Sequence, residues 1–211
     1  MDDLIYILFV SVFVPIFLMA GLIEKKARQP ITFVLIGIFA SVFAAEVNGL
    51  LRDVLPTSTL EITIIVTPIT EEILKAIPIF VYAIALGAKK EKLFTASMAV
   101  GIGFAVLENA FYLLNDASFN MIDAVVRAFG AGLMHGMCTL LVGVGISFAK
   151  KRSKIFVVGT FALLSTAITY HGIYNMLVQS EFEVIGFLLP MATYIPFFVW
   201  RMTNRHKKKS I

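Results

Sequence analysis

The sequence predicts an all-α, polytopic membrane protein with about seven transmembrane helices, and three observations carry that prediction. Of the 211 residues, 59% are hydrophobic and 15% are charged, whereas soluble domains are about 45 to 50% apolar. The hydrophobic residues fall into seven long runs, each close to the roughly 20 residues that cross a bilayer core. The basic residues gather in alternate connections between those runs.

The seven runs account for nearly the whole chain. They cover residues 4–23, 31–51, 60–86, 93–114, 125–149, 155–178 and 184–200. The connections are short and leave no room for a soluble domain. We therefore expect residues 1–211 to form a single membrane-embedded domain.

The charge pattern predicts the orientation of the chain. Fifteen of the eighteen basic residues lie at 25–28, 89–92, 150–154 and in the tail 201–209, while the intervening connections hold only Arg52 and Arg127 beside acidic residues. Because cytoplasmic loops carry the excess of Lys and Arg, the N-terminus is predicted outside and the C-terminus in the cytoplasm. We expect a multi-pass protein of the cell membrane, in contact with the lipid bilayer and with no nucleic-acid partner.

The third run contains charges that a simple transmembrane helix would not carry. Its segment TPITEEILKAIP, residues 67–78, includes Glu71, Glu72 and Lys75. A charged side chain at mid-bilayer costs roughly 2.5 to 3.5 kcal/mol on insertion scales. Three such residues within five positions require a compensating structure and indicate a functional site.

Polar residues of other runs share the depth of this Glu pair. Four of them, Glu46, Glu108, His135 and His171, lie about 14 to 16 residues from the cytoplasmic end of their runs, as Glu72 does. At about 1.5 Å per residue, this depth is about 20 to 24 Å from the cytoplasmic edge and nearer the outer leaflet. Helices that run in opposite directions should not share a depth by accident, so we expect one polar cavity.

Spacing within the helices supports a shared cavity. Three pairs are four residues apart and lie on one helix face: Glu71 with Lys75, Phe104 with Glu108, and His171 with Asn175. Two structural interpretations stand beside this one, since a single His in an apolar helix usually packs and a Glu–Glu–Lys group can be an ion pair. An inert polar core is disfavoured, because it would bury five ionisable side chains at roughly 2.5 to 3.5 kcal/mol each.

These residue types suit activation of water followed by acyl transfer. A Glu in a cavity of low dielectric constant, beside a Lys and a second carboxylate, can serve as general base. Imidazole and amide groups at the same depth, here His171 and Asn175, can orient the water and stabilise an oxyanion. The Glu and His side chains could also bind zinc, but the chain has no HExxH motif, so zinc stays open and no metal is assigned.

Four motifs, in this order, resemble the PrsW family of intramembrane proteases. They are EEILK at 71–75, GFAVLEN at 103–109, His135, and HGIYN at 171–175. That family lies within the wider superfamily of type II CAAX prenyl endopeptidases and bacteriocin-immunity-type membrane proteins. The resemblance spans residues 65–178, and the helical core that bears the motifs covers about 60–178.

The resemblance implies a glutamate-dependent peptidase. Glu71 would be the base with Glu72 beside it, and His171 with Asn175 would bind the oxyanion. Glu108 stands where prenyl endopeptidases have a His, which argues against prenylated substrates. The implied substrate is a single-span membrane protein, such as an anti-sigma factor cleaved near its extracytoplasmic side in an envelope-stress response.

The remaining candidates are expected to support the site. Lys75 is interpreted as the electrostatic partner of the Glu pair, His135 as a member of the catalytic set, and Phe104 and Asn109 as parts of the second motif. Glu46 matches no motif, and a cavity-lining helper and an inert paired carboxylate are both open for it.

Two other classes of function are compatible with the same residues. A proton-coupled carrier or channel could use the carboxylates as a relay. A non-catalytic scaffold or immunity protein could share the fold without activity. The sequence does not indicate an oligomeric state.

Overall fold

A computed structural model describes residues 2–115, 121–148 and 153–207, and within these ranges all regular structure is helical. The elements are α1 (Asp2–Leu22), α2 (Lys25–Val54), α3 (Thr59–Glu61), a π-helical segment (Ile62–Val66), α4 (Thr67–Ile84), α5 (Lys90–Asn115), α6 (Met121–Ile146), α7 (Ser153–Val178) and α8 (Glu183–Lys207). The prediction of an all-α protein is confirmed.

Five of the described helices are long and apolar enough to cross a membrane, as expected of a polytopic membrane protein. They are Leu4–Leu22, Lys26–Val54, Lys90–Asn115, Ala124–Ile146 and Val157–Val178, and Glu183–Val199 is a shorter apolar helix. The number of seven spans and the orientation stay predictions. The basic residues at 150–152 and 208–209 lie outside the described residues.

Helices α5 and α6 form the centre of the bundle. α5 packs against α6 and α2, and α6 also packs against α7 and α8. α4 contacts α2, α5, α6 and α7. Its polar side chains are thereby directed into the middle of the bundle.

The two sides of α4 show why its charges can lie in a membrane protein. Glu71, Glu72 and Lys75 are buried, whereas Ile73 and Ile77 are exposed. The polar side of this helix therefore faces protein, and its apolar side is left for lipid.

Small residues bring the central helices into close contact. A methyl group at Gly101 of α5 would overlap the main-chain oxygen of His135 on α6, and one at Gly103 would overlap that of Val34 on α2. Close approach through glycine is typical of membrane helix interfaces. It sets the separation of α5 and α6 at the level of His135.

The entry into α4 is an irregular segment with an identifiable cause. In the π-helical segment, Thr67 donates its N–H to the oxygen of Ile62. The next donor in that pattern would be Pro68, which has no N–H, so the oxygen of Thr63 needs another partner. Asn175 of α7 supplies it, because its Nδ2 lies 3.0 Å from that oxygen.

A capping box holds the start of this irregular segment. The carboxylate of Glu61 accepts hydrogen bonds from Thr57 Oγ1 at 2.5 Å and from the Ser58 main chain at 3.0 Å. These bonds lower the pKa of Glu61 to about 2, with the Thr57 bond as the largest cause. The carboxylate thus stays ionised at neutral pH and satisfies donors at the helix start.

Candidate active site

Glu72 forms the buried centre of a polar cluster. Its Oε1 lies 2.6 Å from Lys75 Nζ and 2.9 Å from His171 Nδ1. The side chains of Glu72 and Lys75 have no exposed surface. Both neighbours donate to Glu72, because an ionised carboxylate only accepts hydrogen bonds. Glu72 is therefore the counter-ion of Lys75 and the support of His171.

His135 of α6 joins the same cluster through its two ring nitrogens. Lys75 Nζ lies 2.7 Å from His135 Nδ1, and an ammonium group can only donate, so Nδ1 accepts and a neutral ring carries its proton on Nε2. That Nε2 approaches Glu108 Oε2 to 2.5 Å, although the two atoms are not aligned as a hydrogen bond. Phe104 packs against His135, with ring centroids 5.0 Å apart.

Glu71 differs from Glu72 although the two are adjacent in the chain. Glu71 is 5% exposed, and its Oε2, like that of Glu72, has no hydrogen-bond partner within the described part of the chain. His171 Nε2 lies 3.9 Å from this oxygen, too far for a direct hydrogen bond. Because a neutral His171 donates to Glu72 through Nδ1, its Nε2 presents a lone pair beside Glu71. A water molecule or a metal ion would fit between two such acceptors.

Glu108 of α5 completes the set of carboxylates. One of its oxygens approaches His135, and the other lies 3.9 Å from a terminal nitrogen of Arg127. Glu72 has Lys75 and Glu108 has Arg127, whereas no Lys or Arg is paired with Glu71 within the described ranges. Glu71 is thus the carboxylate of the site without a cationic partner.

The two Asn residues predicted to belong to the site, Asn175 and Asn109, donate hydrogen bonds to main-chain oxygens. Asn175 donates to Thr63, and Asn109 Nδ2 donates to the oxygen of Arg127 at 3.3 Å. Asn175 therefore ties the start of α4 to α7, and Asn109 ties α5 to α6.

Glu46 is not part of the cluster. It lies on the exposed side of α2, where it accepts a hydrogen bond of 2.6 Å from the hydroxyl of Tyr6. This placement fits the paired carboxylate of the two roles left open for Glu46.

The chain matches the model of the PrsW family intramembrane metalloprotease over residues 25–201. It belongs to the PrsW family. The match includes all four motifs and every residue of the polar cluster. No curated protein and no solved structure matches the chain.

The metal named in the description of the PrsW family can be tested against the donor atoms of this site. Glu71, His135 and His171 are buried, and one ligand atom of each lies within 4.8 Å of the others. The unpartnered oxygen of Glu71 and the Glu72-supported ring of His171 are the arrangement that zinc ligands adopt. His135 fits less simply, because Lys75 rather than a carboxylate lies at its Nδ1. The three residues therefore fit a metal, with His135 as the weakest ligand.

The charge pattern assigned Arg127 to a connection, but the residue lies within α6 of this PrsW-family protein. Its guanidinium carbon lies 4.0 Å from the centroid of the Tyr112 ring, next to Glu108. Arg127 and His135 are eight residues apart, a little over two helical turns. This spacing was the signal in the sequence that Arg127 could lie on the same helix face as His135.

Asn48 of α2 is a second buried polar residue without a predicted role. It is 7% exposed, and its Oδ1 has no hydrogen-bond partner among the described residues. It follows Ala44 by one helical turn, and Ala44 packs with Phe104. Residue type alone did not distinguish this Asn from an ordinary polar residue near a helix end.

Proposed function

We propose that the protein is an intramembrane endopeptidase in which Glu71 activates a water molecule to cleave a single-span membrane protein near its extracytoplasmic side. The observation that carries the proposal is that the buried Oε2 of Glu71 has no hydrogen-bond partner and that, unlike Glu72 and Glu108, Glu71 forms no ion pair with a Lys or Arg among the described residues. A carboxylate in that state is a ready proton acceptor at a site screened from bulk water.

The proposed reaction uses Glu71 for both proton transfers. Glu71 takes a proton from water, and the water oxygen bonds to the scissile carbonyl carbon. When the carbon–nitrogen bond breaks, the same proton passes from Glu71 to the leaving nitrogen. His171 Nε2, held by Glu72, accepts a hydrogen bond from the second O–H of the water and so orients it.

The developing oxyanion needs a donor, and His135 offers one. With Lys75 at Nδ1, the proton of a neutral His135 is on Nε2, on the side of Glu108. This geometry supports His135 as the oxyanion donor. Asn175 supports the site by holding the start of α4, since its amide is engaged with Thr63.

A bound metal ion would change which residues activate the water and accept its proton. If bound, zinc would act as a Lewis acid that polarises the water, and Glu71, His171 and His135 would hold it. Glu71 would then be engaged as a ligand, and Glu108, which lies outside the candidate ligand set, would be the carboxylate left to accept the proton.

The substrate class is inferred from position and family. Glu71 is near the start of α4, on the side predicted to be extracytoplasmic, which favours cleavage near that side. An anti-sigma factor of an envelope-stress response is the substrate that the family resemblance suggests.

The experiment that tests this function compares variants in proteoliposomes. Purified protein is mixed with single-span substrates of anti-sigma type, and cleavage is followed for the wild type, Glu71→Gln, Glu72→Gln and His171→Ala. Glu46→Gln is the matched control, because it makes the same chemical change away from the cluster. We expect Glu71→Gln to lose cleavage and Glu46→Gln to retain it. Undiminished cleavage by Glu71→Gln would exclude Glu71 as the general base.

A further inference from the structure

Arg127 presents hydrogen-bond donors that the described part of the protein does not use. Its Nε is buried and has no hydrogen-bond partner. The oxygen of Glu108 paired with it lies 3.9 Å from a terminal guanidinium nitrogen, beyond hydrogen-bond length. The side chain keeps 21% of its surface exposed. A ligand can therefore reach part of this side chain, and the terminal guanidinium nitrogens are the donors that it would meet, since Nε itself is buried.

Two neighbours hold the guanidinium in place. It lies over the ring of Tyr112 at 4.0 Å, as in a cation–π contact. Asn109 donates to the main-chain oxygen of Arg127, which fixes the backbone of α6 against α5. A planar fork held in this way loses little freedom when it forms a hydrogen bond.

Arg127 lies on the predicted extracytoplasmic side of the level at which the substrate would be cleaved. Glu108 and Tyr112 are one turn apart on α5, which runs toward the predicted extracytoplasmic side, and Arg127 contacts both. The guanidinium thus lies up to about 5.4 Å beyond Glu108 in that direction. An extended peptide advances about 3.3 Å per residue. Arg127 would therefore face the first or second residue beyond the scissile bond.

The charges of the site favour a neutral ligand at Arg127. The three carboxylates Glu71, Glu72 and Glu108 face only two cations, Lys75 and Arg127, so a carboxylate on the substrate would meet net negative charge. A main-chain carbonyl avoids this repulsion. A transmembrane helix has to unwind before its peptide bond can be attacked, and the carbonyls that unwinding frees need donors inside the bilayer.

We propose that Arg127 binds a main-chain carbonyl of the unwound substrate, one or two residues to the extracytoplasmic side of the scissile bond, and so helps to set which bond is cut. The inference rests on the proposed protease function. It makes Arg127 a specificity-determining residue, distinct from the base and from the metal-ligand set.

The test is a thioamide scan of a synthetic single-span peptide, in which one carbonyl at a time becomes a weaker acceptor. Binding is measured to full-length Glu71→Gln protein, alone and combined with Arg127→Gln or Arg127→Lys. We expect one thioamide position to weaken binding to the Glu71→Gln protein by about tenfold, as for a hydrogen bond to a charged donor. Arg127→Gln should abolish that dependence.

Two further variants distinguish hydrogen bonding by the Arg127 fork from the effect of its positive charge and from a general effect of removing an arginine. Arg127→Lys keeps a cation beside Glu108 but lacks the planar fork, so it should also lose most of the position dependence. Arg52→Gln removes an exposed arginine on the same predicted side and should leave the dependence intact.

The proposal would be overturned if binding to the Arg127→Gln protein depended on the thioamide position as it does with Arg127 present. It would also be overturned if Arg127→Gln weakened the binding of every peptide equally. A peptide set that does not bind the Glu71→Gln protein contradicts it too. If the wild type binds the peptides and cuts none, the protease function fails while the thioamide pattern still decides the role of Arg127. If the wild type cuts them, mass spectrometry should show a displaced cut in Arg127→Gln.

Discussion

The side-chain amide of Asn175 on α7 donates to the main-chain oxygen of Thr63 at 3.0 Å, replacing the N–H that Pro68 lacks. The bond joins two parts of the chain 112 residues apart and holds the irregular turn from which α4 begins. Since Glu71 and Glu72 follow on α4, Asn175 positions the Glu pair from a neighbouring helix.

This relationship predicts that Pro68 and Asn175 are coupled. Asn175→Ala should lower the unfolding free energy by about 1 kcal/mol, because the partly buried oxygen of Thr63 loses its partner. In a Pro68→Ala background the loss should shrink, since the substituted residue has a main-chain N–H that can donate to Thr63. Thermal unfolding of the four proteins in detergent measures the coupling.

Cleavage activity of the wild type, Asn175→Ala, Pro68→Ala and the double variant gives an independent test of this coupling. If Asn175 acts through the position of α4, Pro68→Ala should restore part of the cleavage lost in Asn175→Ala. If Asn175 itself contacts the oxyanion, Pro68→Ala restores stability without activity, and the positioning role is wrong.

The adjacent glutamates are expected to separate into one stabilising and one reactive residue. Glu72→Gln leaves Lys75 buried without its counter-ion and should cost about 3 to 5 kcal/mol of stability. In chelator-treated, metal-free protein, Glu71→Gln removes a carboxylate that has no cationic partner among the described residues and should not lower the melting temperature. Replacing Glu72 and Lys75 together by Met should recover much of the loss. Equal melting temperatures for the two Gln variants would contradict this division.

The metal-ligand set is tested by analysis of the purified protein. We expect about one zinc per chain by mass spectrometry of the metal, lowered by Glu71→Gln and more strongly by His171→Ala, because each removes a ligand. Removing the metal with a chelator should lower the melting temperature, since a bound metal stabilises the folded state. Unchanged metal content in His171→Ala would exclude this residue as a ligand. Glu46→Gln is the control.

The predicted orientation can be measured by labelling of single cysteines. Cys138, the one native cysteine, is buried and should give little background. Asp53→Cys at the end of α2 should react with an impermeant thiol reagent added to intact cells, whereas Lys89→Cys should react only after the membrane is opened. The reverse pattern would invert the assignment based on the basic loops.

Hydropathy and the order of the motifs were enough to predict the helices, the family and most of the polar cluster. Both signals are local, because each apolar run forms its own helix and each motif lies on one helix. The sequence could also assign a depth to each polar residue, since depth depends only on the count along its own helix. Glu71, Glu72, Glu108, His135 and His171 do come together.

The direction in which each helix turns its side chains was decided by the tertiary structure. Glu46 and Glu108 were predicted to share a depth, yet Glu108 faces His135 and Glu46 faces Tyr6, because rotation about a helix axis is set by packing against neighbouring helices. The same packing gives Glu72 its partners and leaves Glu71 without a Lys or Arg partner in the part of the chain that the structure describes. The sequence by itself predicted which residues share a depth, because that count runs along each helix separately. The packing of α4 against α6 and α7 decided which of them meet, and which carboxylate has no Lys or Arg partner among the described residues.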